Sequence, residues 1–254
     1  VASKRFVYGV HAVRAVLARR PQAIVRAVLL EGGGARLEPL DAAFARLGVP
    51  VRRVERGELD RLCGGGAHQG VAVEARPIGG LTLGGFEELV LRRGARFRAL
   101  ALDGVEDSRN LGACLRSADA AGVDVVVTPR SRSAPLTGTA AKAAAGAVES
   151  VPVLRASNLA RTLRWLKSAG VRVVGADASA RRSMYEAELS LPITVVVGGE
   201  GKGLRRLTRE LCDELVSIPM HGTVSSLNVS VAVGVVLFEL ARRAPVTAED
   251  SGGA

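Results

Sequence analysis

Aromatic residues are scarce in this chain: Phe, Trp and Tyr together make up 3% of its 254 residues. So few rings exclude stacking on aromatics as the main grip on single-stranded nucleic acid. Cysteine is equally sparse. Cys63, Cys114 and Cys212 are far apart and odd in number, which predicts reduced thiols and a cytoplasmic protein rather than a disulfide framework. The histidines, His11, His68 and His221, are isolated, and no CxxC or HxxxH spacing occurs, so no metal site is expected. The longest apolar run, Val229 to Leu240, is broken by Gly234 and Glu239. It falls short of the roughly 18 residues of a membrane span, and no membrane partner is expected. The opening residues VASKRFVYGV lack the apolar stretch of a secretory signal.

What the chain has in excess is positive charge. Its formal net charge is +10, which points to a polyanionic partner. The excess is concentrated: residues 1–98 carry 17 Lys+Arg against 9 Asp+Glu, and residues 99–254 carry 18 against 16. Genome composition can account for 31 Arg against 4 Lys, but not for the uneven placement. The first third is therefore expected to meet phosphates.

The hydrophobic pattern divides in the same place. GVHAVRAVLARR sets Val10, Val13, Val16 and Leu17 on one helical face. IVRAVLL reads as a strand closed by Gly32-Gly33-Gly34, LEPLDAAFARLG as a helix ending at Gly48, and VPVRRVE as a second strand. A short helix around Leu59, the loop CGGGAHQG and the strand VAVEARP complete a small α/β/α domain over residues 1–77. PIGGLTLGG has the Pro and Gly content of a linker, assigned here to residues 78–94. From residue 95 to 243 strands are expected at 98–103, 123–128, 150–154, 171–176, 193–198 and 215–218, separated by helices at 109–121, 137–147, 157–169, 204–214 and 227–242. Such alternation predicts a mostly parallel sheet, with ligands bound beyond the carboxyl ends of its strands. Residues 244–254 read as a disordered tail.

Three strand-to-helix loops stand out. In DGVEDSRNLGACLRSADAAG, Asn110 lies near a helix start and Arg116 follows among small residues, where it can reach a phosphate or ribose. Equally, Asn110 caps the helix and Arg116 pairs with Asp119. In ITVVVGGEGKGL the glycines allow close backbone approach to a ligand, or form only a tight turn. This run is neither a Walker motif nor a dinucleotide fingerprint, and Glu200 would repel a pyrophosphate. A neutral or cationic ligand fits it better. In SIPMHGTVSSLNVS, Ser226 or Asn228 can cap the next helix, but one cap leaves Ser225, Ser230 and the other polar residues unexplained. Cys114 has no histidine nearby in sequence and reads as a packing residue. His68 reads as an exposed loop residue, and Lys202 and Arg205-Arg206 as phosphate contacts or as solvated surface charge.

Together NLGACLRSADAAG, VVGGEGKGL and SIPMHGTVSSLNVSVAVG resemble, in order and spacing, the three motifs of the SpoU (TrmH) branch of the SPOUT RNA ribose 2′-O-methyltransferases. VYGVHAVRAVL and HQGVAVEARP are similar to that family's accessory RNA-binding domain, which resembles a ribosomal protein fold. The resemblance implies a trefoil-knotted catalytic domain, S-adenosylmethionine as cofactor, no metal and a homodimer through the catalytic domains. It assigns Asn110, Arg116, Glu200, Ser226 and Asn228 to catalysis, and Gly198, Ile218, Met220 and Leu227 to the cofactor. Having both parts, the chain is most similar to the branch that methylates a guanosine ribose in the peptidyl-transferase loop of 23S rRNA. The same chemistry on tRNA or on a ribosomal adenosine, and a non-catalytic RNA-binding factor, remain as alternatives. Ser108 departs from the pattern, since relatives often carry Pro there, and a more flexible loop is expected with the Asn110 and Arg116 roles intact.

Overall fold

The structure is a computed structural model and describes residues 5–76, 81–136, 138–201 and 203–243. The expected tail and Lys202 lie outside the described residues. Contacts divide the chain into two compact units, Val1–Gly79 with Ala145–Ser150, and Gly80–Ala144 with Val151–Ala254.

In the first unit β1 (Arg5–Tyr8), β2 (Ile24–Leu30), β3 (Val51–Val54) and β4 (Val71–Ala75) form a sheet in the order β1-β4-β2-β3. Only the β2–β3 pair is parallel. Helix α1 (Val10–Arg19) carries the expected stripe: Val10, Val13 and Val16 are buried and Leu17 is partly so. It packs with α2 (Glu38–Arg46) over Val71, Val73 and Ala75, one face of β4. Ala72 points the other way and joins Leu59 of α3 (Arg56–Leu62), Val28, Val54 and Cys63 in a second cluster. This alternation of side chains along one strand makes the unit three-layered. Residues 145–150, expected in the second domain, belong here. Their short 3₁₀ turn, Ala147–Glu149, presents buried Glu149 to Arg20.

In the second unit the strands are β5 (Arg98–Asp103), β6 (Val125–Pro129), β7 (Val153–Ala156), β8 (Arg172–Ala176), β9 (Ile193–Gly198) and β10 (Glu214–Val216). They form one parallel sheet in the order β10-β8-β9-β5-β6-β7. The chain builds outward from β5 through β6 and β7, crosses over to β8, and then places β9 between β8 and β5. The central strands are continuous apolar runs because both faces are covered. Ala99, Ala101, Val125 and Val127 pack beneath α4 (Leu83–Arg93) and α7 (Leu159–Ser168). Leu100, Leu102, Val126, Val195 and Val197, also buried, alternate to the opposite face, where α5 (Ser108–Ala120) packs on α6 (Gly138–Ala143) and α9 (Val229–Arg243). The remaining helix, α8 (Arg206–Leu211), packs on α7.

Two expectations are revised. The stretch assigned to a linker as far as residue 94 holds α4, capped by Thr82 Oγ1, which accepts from the Gly85 amide at 3.1 Å. Phe86 and Val90, one turn apart, anchor it in the core, and that spacing outweighs the helix cost of Gly84 and Gly85. Helix α6 is also shorter than the 137–147 expected.

Phe44 is fully buried between α2 and β4. Phe44→Ala is expected to cost the first unit about 3–5 kcal/mol, read as a lower denaturant midpoint. An unshifted midpoint would remove Phe44 from its place in the core.

Candidate active site

The loop after β9 begins where a side chain cannot fit. A Cβ on Gly198 would lie 2.0 Å from the carbonyl carbon of Gly203, and one on Gly199 would lie 2.1 Å from the Gly104 oxygen. Gly201 and Gly203 adopt φ of 76° and 60°, conformations that favour glycine. The Gly199 amide donates to the Asp103 carbonyl at 3.0 Å, and the Gly203 amide to the Gly199 carbonyl at 3.1 Å. Asp103, buried at the end of β5, accepts the Arg205 amide on Oδ2 at 3.0 Å. The turn is thus stitched to the neighbouring strand, and Glu200 projects from its tip.

The helix after β5 is capped by Asp107, not by Asn110. Asp107 Oδ1 accepts the Arg109 amide at 2.6 Å and the Asn110 amide at 3.2 Å. These bonds hold its carboxyl below the usual carboxylate range. Ser108 occupies the first helical position, which proline also favours. The cap leaves the Asn110 side chain free, and its Nδ2 donates to Glu200 Oε1 at 2.6 Å.

Asn228 does two jobs at the start of α9. Its Oδ1 accepts from the amide and hydroxyl of Ser230 at 2.9 and 2.7 Å, which caps the helix. Its Nδ2 donates to Glu200 Oε1 at 2.8 Å and to Asn110 Oδ1 at 3.2 Å. Two amides from distant parts of the chain therefore converge on one carboxylate oxygen.

Two cavities meet at this carboxylate. The first, of about 420 Å³, is lined by Gly198, Ile218, Met220, Ser226 and Leu227, with Glu200 on its wall. The second, of about 370 Å³, shares Gly199, Glu200, Gly203 and Val229 with the first and adds Asn110, Glu106, Arg132 and Arg205. Arg116 lines neither cavity. It follows Asn110 by six residues, about 240° around the helix; it is exposed and pairs with neither Asp119 nor any other described residue.

The sequence pattern missed the contribution of β8. Asp177 and Ser179, just beyond its end, and Arg209 of α8 line the first cavity. Asp177 accepts from the amide and hydroxyl of Ser179 at 2.9 and 2.7 Å and pairs with Arg209. Burial pushes this carboxyl up, but the Ser179 and Arg209 contacts outweigh it and hold the group low. The available signal was an acidic residue at a strand end in GADAS; what hid its meaning was that β8 neighbours β9 only in the folded sheet. His68 also departs from expectation: it is buried and bonded at both ring nitrogens. Burial pushes the Cys114 thiol up to about 12, which favours its protonated form and agrees with a packing role. Among the described residues no cluster of His, Cys, Asp and Glu is arranged to hold a metal, and no helix is long and apolar enough to cross a membrane.

A parallel sheet whose carboxyl edge bears two adjoining cavities, divided by one fixed carboxylate, defines a site for two reactants. The SpoU rRNA Methylase family matches residues 98–238, and the RNA 2′-O ribose methyltransferase substrate binding family matches residues 6–79. A 23S rRNA (guanosine-2′-O-)-methyltransferase RlmB from Photorhabdus laumondii is 49% identical, over 93% of this chain and 97% of its own. The protein of the same name from Vibrio vulnificus is 45% identical, over 95% and 98%. Among solved structures, an AdoMet-bound rRNA methyltransferase from Sinorhizobium meliloti superposes with a TM-score of 0.75 at 24% identity, over 95% of this chain and 88% of that one. The chain belongs to the SpoU rRNA methylase family.

Gly199→Ala is expected to force the β9 turn away from Gly104 and to cost about 1–3 kcal/mol, the range for overpacking a filled site. Thermal unfolding measures this. An unchanged midpoint would mean that the two loops separate freely.

Proposed function

We propose that the protein is an S-adenosylmethionine-dependent 23S rRNA guanosine 2′-O-methyltransferase, acting in the cytoplasm as a homodimer through its second unit. The observation that carries this reading is Glu200, held by Asn110 and Asn228 in the wall common to both cavities. Relatives that align along nearly their whole length and bear that activity in their names support the choice of RNA and base.

The first cavity fits the cofactor. Gly198 leaves a bare backbone wall, Ile218, Met220 and Leu227 offer an apolar surface to a purine, and the carboxylates of Glu200 and Asp177 favour a cation. S-Adenosylmethionine supplies an electrophilic methyl carried on a positive sulfur. The second cavity takes the target nucleotide. Arg205 and Arg132 face the nucleotide's phosphates. Arg132 is exposed and holds a φ of 54°, an uncommon conformation for a non-glycine residue.

The 2′-hydroxyl must lose its proton as its oxygen bonds to the methyl carbon. In this reading Glu200 orients that hydroxyl and accepts the proton; its Oε1 is taken by the two amides, while Oε2 has no partner among the described residues. Fixing both reactants across one carboxylate supplies the positioning share of the rate. Glu200→Gln is expected to lower kcat about 10²–10⁴-fold, measured by methyl transfer to unmodified rRNA at saturating cofactor. Unchanged kcat would remove Glu200 from the proton path.

Arg116 stands outside both cavities of its own chain, so the catalytic role that the resemblance implies is assigned to the site of the second copy. Mixed dimers of Arg116→Ala with Glu200→Gln test this. One intact site re-forms if the two residues act across chains, and activity returns. Mixed dimers as inactive as their parents would place Arg116 in its own chain's site, and an active Arg116→Ala parent would place it outside catalysis.

A further inference from the structure

The first unit contains a cavity of about 580 Å³, larger than either cavity of the second. It opens between the glycine loop that follows β2 and the loop that precedes β4. Leu30 and Leu37 supply apolar surface, and Arg36 and Arg56 supply charge. Both arginines are exposed and neither forms an ion pair among the described residues, whereas nearby Arg52 and Arg53 are engaged by Glu58 and Asp41. Two unpaired cations therefore share one pocket with a single carboxylate, Asp60, in the part of the chain with the largest charge excess.

The wall opposite is held rigidly. His68 Nδ1 accepts the Gly70 amide at 3.0 Å, which leaves the proton on Nε2, and that nitrogen donates to Asp60 Oδ1 at 2.9 Å. Gln69 adopts φ of 54°, and its Oε1 accepts the Val10 amide at 3.0 Å. A Cβ on Gly66 would lie 2.4 Å from the Tyr8 ring, and one on Gly33 would lie 2.3 Å from the Leu37 side chain. A buried histidine bonded on both sides, a left-handed glutamine and two glycines without side-chain room keep the pocket shaped before anything binds. Such strain is retained where a ligand site is preorganised.

We propose that this cavity receives one unpaired nucleotide of the folded RNA substrate, with Arg36 and Arg56 holding the adjacent phosphates. The inference rests on the RNA substrate of the proposed function. An apolar floor and a cationic rim suit a base and its phosphodiesters, and with no Phe, Tyr or Trp among the described lining residues the base is held mainly by apolar contact and backbone groups. His68 acts as scaffold, since its two ring nitrogens are taken by Asp60 Oδ1 and the Gly70 amide.

The test uses the full chain and an unmodified 23S rRNA transcript, with affinity measured across a salt series. In the Arg36→Ala/Arg56→Ala double variant, the slope of log affinity against log salt is expected to fall by about 2, one for each phosphate no longer neutralised. The KM for RNA should rise, with kcat at saturating RNA and cofactor affinity unchanged. Arg36→Lys/Arg56→Lys should keep the slope, and so should Arg46→Ala, which removes an exposed charge of α2 outside the cavity. An unchanged slope in the alanine variant, with methyl transfer intact, overturns the pocket and leaves the enzymatic reading standing. Failure of the unmodified protein to bind the transcript at all overturns both.

Discussion

The second unit depends on a contact with no space in it. Where β9 lies between β8 and β5, its last glycines press against the Gly203 and Gly104 backbones at distances that admit no Cβ. This crossing lets three hydrogen bonds tie the β9 turn to itself, to the end of β5 and to buried Asp103. Without it, Glu200 would sit on a mobile glycine loop. With it, the most flexible residue type builds a rigid support, because each glycine is fixed by its neighbours rather than by its own preferences.

The polar triangle follows from that support. Asp107 takes over the capping of α5 and so releases Asn110, while Asn228 caps α9 with its oxygen and reaches Glu200 with its nitrogen. An amide suits both tasks because it carries an acceptor and a donor at fixed separation. A serine at position 228 would still cap the helix but could not span the two partners. The stretch SSLN is therefore a helix start and a site wall at once, and its polar residues answer to different partners.

Much of this organisation was legible in the sequence. The six strand positions of the second unit follow from apolar runs separated by helical periodicity, and the stripe Val10, Val13, Val16 fixes the inner face of α1. The residues gathered around Glu200 come from three glycine-rich or polar strand ends, which is where parallel sheets place ligands. What stayed hidden depends on strand order. Asp177 enters the site only because β8 is a neighbour of β9, a relation that no local pattern encodes. Similarly, Gly84 and Gly85 disguised α4 as a linker, since its stability comes from Phe86 and Val90 in the core and not from local propensity. His68 looked exposed among glycines, whereas those glycines allow the loop to fold over it.

The two units deal with charge in opposite ways, and the contrast explains the uneven distribution along the chain. In the second unit two arginines close to the site are tied down, Arg209 by Asp177 and Arg205 by buried Asp103 at 3.5 Å, while Arg132 stays exposed. Fixed pairs of this kind shape a cavity without adding much net field, which suits a reaction that must tolerate a cationic methyl donor. In the first unit, Arg36 and Arg56 have no acidic partner among the described residues beside an open pocket. Unpaired cations attract any polyanion over about a Debye length, roughly 8 Å at physiological salt, and selectivity must then come from the shape of the pocket they flank. A division of labour results, in which long-range capture is assigned to residues with no chemical duty and the arginines beside the reacting groups act only at contact range.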